Sequence, residues 1–261
     1  MRASDNRPPW VPLTSSIMFV LRHGRIFGWS LLLVTATGLL TWMGYVEALD
    51  FITGLTGHFF QQPPVSTGIR GWLVIKGWSV LKLLFFLVIR IVAFYLSFLI
   101  AYCLTTPGYV LLSTAVEKIY LGPLFVKDQG FSMKAMLRDI FEGCKIGLVG
   151  LAVTVVALVA NFIPVGGLGF VLLIYTLYSA LMFIDYPASR HRWTLGRKIL
   201  WVRRHLTASL RLGFLPALVS MIPLVNIFFM ALLFPLFTVH TTLNFIAIER
   251  WQVTEDHRVN R

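Results

Sequence analysis

A chain of 261 residues that is 57% hydrophobic and 13% charged, with a mean hydropathy of +0.77, cannot bury its apolar side chains in one soluble domain. Its net charge of +12 would suit nucleic acid. The Lys and Arg residues, however, sit in loops beside apolar runs, where anionic headgroups lie, so nucleic acid is excluded as a partner and a lipid bilayer is expected.

Residues 1–25 form a basic segment ending in Arg22, His23, Gly24 and Arg25. The apolar run that follows, 26–45, matches the ~20 residues of a spanning helix and exceeds a signal-peptide core of about 7–15, so it is read as retained. The loop 46–77 balances Glu47 and Asp50 against Arg70 and Lys76. A second span is expected over 81–104, with Lys82 near one end and Arg90 inside it. An Arg at membrane depth costs about 2.5–3.5 kcal/mol on insertion scales, so Arg90 either faces a protein or water-lined interior or snorkels to the surface.

Two amphipathic helices come next. Gly108, Leu111, Leu112, Ala115, Val116 and Ile119 recur at helical spacing, as do Met133, Met136, Leu137, Ile140, Phe141 and Cys144; both are expected along the membrane face or against other helices. Two helical hairpins follow. The first has arms 146–163 and 168–184 around Pro164; the second has arms 212–222 and 226–248, broken at Pro223 and bent at Pro235. An 11-residue arm such as 212–222 reaches roughly 17 Å against a hydrocarbon core of about 30 Å, so it turns back inside the membrane. Between the hairpins, 194–211 carries Arg197, Lys198, Arg203, Arg204 and Arg211 beside a stripe of Leu195, Ile199, Val202, Leu206 and Leu210, the pattern of a basic interfacial helix. Positive-inside logic puts both termini in the cytoplasm.

The expected fold is therefore an all-α integral membrane protein. It comprises two long transmembrane helices, two Pro-tipped re-entrant hairpins and interfacial amphipathic helices, with one membrane domain over 26–248 and a tail at 249–261. Cys103 and Cys144 lie far apart in sequence without CxxC spacing or His neighbours, which supports neither a disulfide framework nor a metal site. Glu117 reads either as a partner for Arg90 or as a cap on a surface helix. Asp185 beside Arg190 and Arg192 reads as an ion pair at a helix end, with catalysis by Asp185 and His191 the weaker alternative. His240 and Asn244, four apart, line a cavity or bind a neighbouring helix. No cofactor is implied and no enzyme motif is present; a Walker-type phosphate loop is missing.

Phe162-Ile163-Pro164, Ser179-Ala180-Leu181-Met182 leading into Asp185-Tyr186-Pro187 with His191, and the run from Met221-Ile222-Pro223-Leu224-Val225-Asn226 to Met230 resemble the CysZ sulfate permease family, related to the etoposide-induced membrane proteins. The likeness is good over 162–230 and extends backwards through Pro107, Leu112 and Glu117. It implies half-penetrating hairpins, a dimeric or larger homo-oligomer in the inner plasma membrane, and sulfate uptake feeding cysteine synthesis. The alternative within the same family is a non-transporting scaffold or biogenesis factor. The resemblance also places anion contacts at an Arg-rich turn before the first membrane helix, matched here by Arg22, Gly24 and Arg25; this chain splits the basic pair and lacks the family's Pro. Arg90, Glu117, Asp185, Asn226, His240 and Asn244 are the further candidates for an intramembrane polar pathway, and Pro164 and Pro223 mark the hairpin tips.

Overall fold

The computed structural model describes residues 9–61, 68–126, 133–164, 166–222 and 225–259. Among them all regular structure is helical: α1 (Leu13–Arg22), α2 (Gly24–Gln61), α3 (Gly68–Leu121), a 3-10 turn at Gly122–Leu124, α4 (Met133–Ala160), α5 (Gly167–Arg190), α6 (Leu195–Arg204), α7 (Leu206–Ser220) and α8 (Val225–Val259). Five of these contain stretches long and apolar enough to cross a bilayer, within α2, α3, α4, α5 and α8. The chain divides into two compact units, one of residues 36–102 and the other of 1–35 with 103–261.

In the smaller unit the end of α2 packs on α3. Gly44 is the contact point, since a Cβ there would lie 3.2 Å from the Ser97 side chain, and Tyr45 meets Phe94 edge-on at 5.8 Å. The rest of this α3 segment turns Leu83, Leu87, Val88, Ile91, Leu96 and Ile100 outward, an apolar surface suited to lipid.

The larger unit holds the core. Tyr109, Phe183, Tyr186, Phe234 and Phe237 form one aromatic cluster, with Tyr109 and Phe183 each 4.8 Å from the Phe234 ring. A second cluster joins Ile184 and Ala188 of α5, Trp201 and Val202 of α6, Leu212 of α7 and Phe245 and Ile248 of α8. Helices α5 and α7 cross closely at Gly213, where an added Cβ would strike the Thr176 carbonyl oxygen.

Four expectations about helix limits are corrected. The loop expected over 46–77 is helical at both ends, since α2 runs to Gln61 and α3 starts at Gly68. Residues 108–119 do pack against other helices, as one of the two expectations had it, but they are not a separate helix: they are the last turns of α3, which runs through Pro107. Neighbouring helices re-satisfy the carbonyl that a membrane Pro frees, so Pro107 does not end the helix; Leu112 and Val116 are fully buried in protein. Residues 133–144 likewise continue into α4. The basic stretch 194–211 is split at His205, whose backbone (φ −110, ψ 45) leaves the helical region, so its last turn starts α7.

That split changes the short arm. Helix α7 has 15 residues, about 22 Å, still short of a ~30 Å core. The arms α4 and α5, with 28 and 24 residues, extend roughly 42 and 36 Å and have length to span. Pro164 lies in the exposed turn between them, while Pro223 lies outside the described residues.

The two cysteines, remote in sequence, are neighbours across α3 and α4. The contact follows from Gly143, where a Cβ would crowd the Thr106 side chain; Cys103 is one turn from Thr106 and Cys144 adjoins Gly143. Copper-phenanthroline oxidation is expected to link the two thiols within one chain, read as loss of maleimide labelling under denaturing conditions. Both thiols remaining labelled would mean that α3 and α4 do not meet there.

Candidate functional site

Next to the aromatic cluster lies a network of charged side chains from four helices, all of them buried except the half-exposed Lys145. Asp185 and Lys198 are both fully buried, and Lys198 Nζ donates to Asp185 Oδ1 at 2.5 Å. Ser189, one turn after Asp185, donates its Oγ to Oδ1 at 3.0 Å and accepts from Lys198 Nζ at 3.2 Å. Glu142 of α4 places Oε2 3.8 Å from Lys198 Nζ and accepts from Lys145 through Oε1 at 2.7 Å. Glu117, near the end of α3, pairs with Arg190 of α5. Arg190 also donates to the Val126 carbonyl at 2.7 Å and stacks over Phe125 at 4.2 Å.

Three carboxylates thus face three cations. Buried ions persist only when paired and hydrogen-bonded, and this pairing ties α3, α4, α5 and α6 together. Each cation already holds a carboxylate, so the network cannot accept an added oxyanion without breaking a bridge. Asp185 Oδ2 is buried and accepts no hydrogen bond from a described residue.

The sequence-derived candidates separate against this network. Glu117 is neither a surface cap nor the partner of Arg90: it is 5% exposed and bound to Arg190. Arg90 lies on the exposed face of α3 and pairs with no described residue, so the interior partner weighed for it is not found. Asp185 is ion-paired, but to Lys198 rather than to Arg190 or Arg192. His240 and Asn244 bind a neighbouring segment: Ser16 Oγ lies 2.9 Å from His240 Nδ1, while Asn244 accepts from the Val11 N–H at 2.9 Å and donates to the Val11 carbonyl at 3.1 Å. The side chain of Asn226 lies outside the described residues.

Arg22, Gly24 and Arg25 come together at a break between helices. Helix α1 ends at Arg22; His23 (φ −107, ψ 86) turns the chain and bonds its Nδ1 to the Phe19 carbonyl at 2.7 Å. Its own carbonyl accepts from Ile26 and Phe27, at 2.8 and 3.1 Å. The amides of Gly24 and Arg25, in the opening turn of α2, make no backbone bond to a described residue. Both arginines are exposed and meet no described carboxylate. Two open amides thus stand at the positive end of a helix, flanked by two exposed arginines.

Lys198, Glu142 and Ser189 were not singled out from sequence. Only Ser189 had a readable signal, its i+4 spacing from Asp185; Lys198 returns to Asp185 through the turn between α5 and α6. A family model for Sulfate transporter CysZ/Etoposide-induced protein 2.4 matches residues 13–231 of the chain. No curated protein matches it.

Proposed function

The chain belongs to the sulfate transporter CysZ/etoposide-induced protein 2.4 family, and on that premise we propose that it is a permease for an inorganic oxyanion, sulfate foremost, in the inner plasma membrane. Arg22, Gly24 and Arg25 are the first anion contacts. The observation that carries this assignment is the α1–α2 break, with its two free amides and two arginines without carboxylate partners. A permeating ion must also be released, and exposed, partly hydrated donors hold it less tightly than a desiccated site would.

In this reading both termini are cytoplasmic, the short α7 arm re-enters rather than crosses, and the assembly is a homo-oligomer. The imported sulfate feeds cysteine biosynthesis. The buried network holds the helices in register while Arg22 and Arg25 do the capturing.

Radiolabelled sulfate uptake into proteoliposomes tests the proposal. Uptake above empty vesicles is expected, and the Arg22→Ala/Arg25→Ala double variant should lower it by about tenfold or more, since each charge-assisted contact contributes ~1.5–3 kcal/mol. No uptake by the wild-type protein would leave the scaffold reading in place. Uptake unchanged in the double variant would move the anion site elsewhere while sparing the permease reading.

A further inference from the structure

A groove of about 660 Å³ runs between α5 and α7, lined by Gly169, Leu172, Leu173 and Thr176 on one side and Leu210, Arg211 and Phe214 on the other, with Trp10 at its edge. That volume falls within the ~300–1,000 Å³ of ligand-sized cavities. Helices α5 and α7 are antiparallel: Leu212 shares a cluster with Ile184 and Ala188, whereas Met221 packs against the cluster of Val171, Ala157 and Ala160. The groove therefore has a polar end and an apolar end. Arg211 and Trp10 stand at the end facing α6, and Gly169, Leu172 and Leu173 lead away towards the turn at 161–164.

Arg211 carries a charge that nothing described neutralises. Its guanidinium rests over the Trp10 ring at 5.5 Å and meets no described carboxylate, unlike Lys198, Arg190 and Lys145. The adjoining helix α6 adds exposed Arg197, Arg203 and Arg204. A cationic, aromatic mouth over an apolar trough matches a molecule with an anionic head and a hydrocarbon tail, and basic pockets between membrane helices take anionic headgroups for this reason. A free oxyanion would gain nothing from Leu172, Leu173 and Phe214.

We propose that this groove seats one acyl chain of an anionic phospholipid, with Arg211 and the Trp10 ring at its phosphodiester. The site is separate from the α1–α2 break and does not depend on the transport reading. Occupancy would wedge α7, the short arm, against α5 by lipid as well as by protein.

Native mass spectrometry of the purified full-length protein, released from detergent, tests this with dioleoyl phosphatidylglycerol, dioleoyl phosphatidylcholine and glycerol 3-phosphate as separate probes. A phosphatidylglycerol adduct is expected to dominate. Arg211→Gln should weaken it by about fivefold, the worth of one basic side chain at an anionic headgroup. Leu173→Trp, which fills the trough without touching the charge, should weaken it as well, so the proposal remains testable if one variant folds poorly. Equal binding of phosphatidylcholine, equal binding of glycerol 3-phosphate, or phosphatidylglycerol binding unchanged in both variants would each overturn it.

Discussion

Lys198→Met is expected to destabilise the protein more than any other single substitution in the buried network. The change keeps most of the side-chain volume and removes the cation that, among the described residues, touches both Asp185 and Glu142. Asp185 then keeps Ser189 as a donor but loses its counter-charge at zero exposure. Breaking a buried pair by removing one partner costs about 3–5 kcal/mol, a large share of the ~5–15 kcal/mol by which folded proteins exceed unfolded ones. The expected readout is a lowered thermal midpoint in detergent and aggregation on size exclusion. Asp185→Asn placed on top of Lys198→Met should recover much of the loss, because the stranded charge is gone. A midpoint equal to wild type in the single variant would show that the two groups do not share a charge pair.

The second large effect is expected at the α5–α7 crossing. Gly213 lies so close to α5 that an added Cβ would strike the Thr176 carbonyl oxygen and stand 2.9 Å from the Ala180 nitrogen. Those are backbone atoms of a packed helix and cannot step aside as a side-chain tip can. Gly213→Val must therefore push the helix axes apart, at about 1–3 kcal/mol for overpacking, and opens the contact through which small residues let membrane helices approach. Gly196, in α6, has nothing within 4 Å of an added Cβ. Gly196→Ala should accordingly raise the midpoint slightly, by up to ~1 kcal/mol of helix propensity. Opposite signs in the two variants are the test; equal effects would remove Gly213 from the crossing.

Much of the helical framework is visible in the chain before folding, because apolar runs bounded by Arg, Lys and Asp mark where lipid begins and ends. The run 26–45 sits inside α2 and the arms 146–163 and 168–184 become most of α4 and α5. The boundaries that failed did so for identifiable reasons. Pro107 would end a helix by the rules of water-soluble chains, but α3 runs straight through it, as membrane helices tolerate. The basic stripe over 194–211 kept its period past His205, so periodicity alone could not show that the chain turns there. Helix α1, ten residues before the first apolar run, lay inside what read only as a basic segment; it packs against α8.

The site was less legible, chiefly because helical geometry separates residues that look adjacent. Asp185 and Arg190 are five apart, roughly 140° around a helix, so they face different neighbours: Asp185 meets Lys198, and Arg190 reaches Glu117. Pairing each charge with its nearest opposite in sequence gave the wrong partner for Asp185. Arg22, Gly24 and Arg25 were nominated by family likeness, and the break that sets them at the start of α2 is a property of the folded chain.

The link between Asn244 and the main chain of Val11 also has a temporal side. The two residues are separated by 233 positions, so at ribosomal rates of about 5–20 residues per second the N-terminal segment waits roughly 10–50 s before its partner is made. Trp10, Val11 and Ser16 can dock only after α8 has been made, so a stretch synthesised early is fastened late. The amide of Asn244, holding the Val11 N–H and carbonyl together, thereby acts as a closing latch, engaged only once α8 has been made.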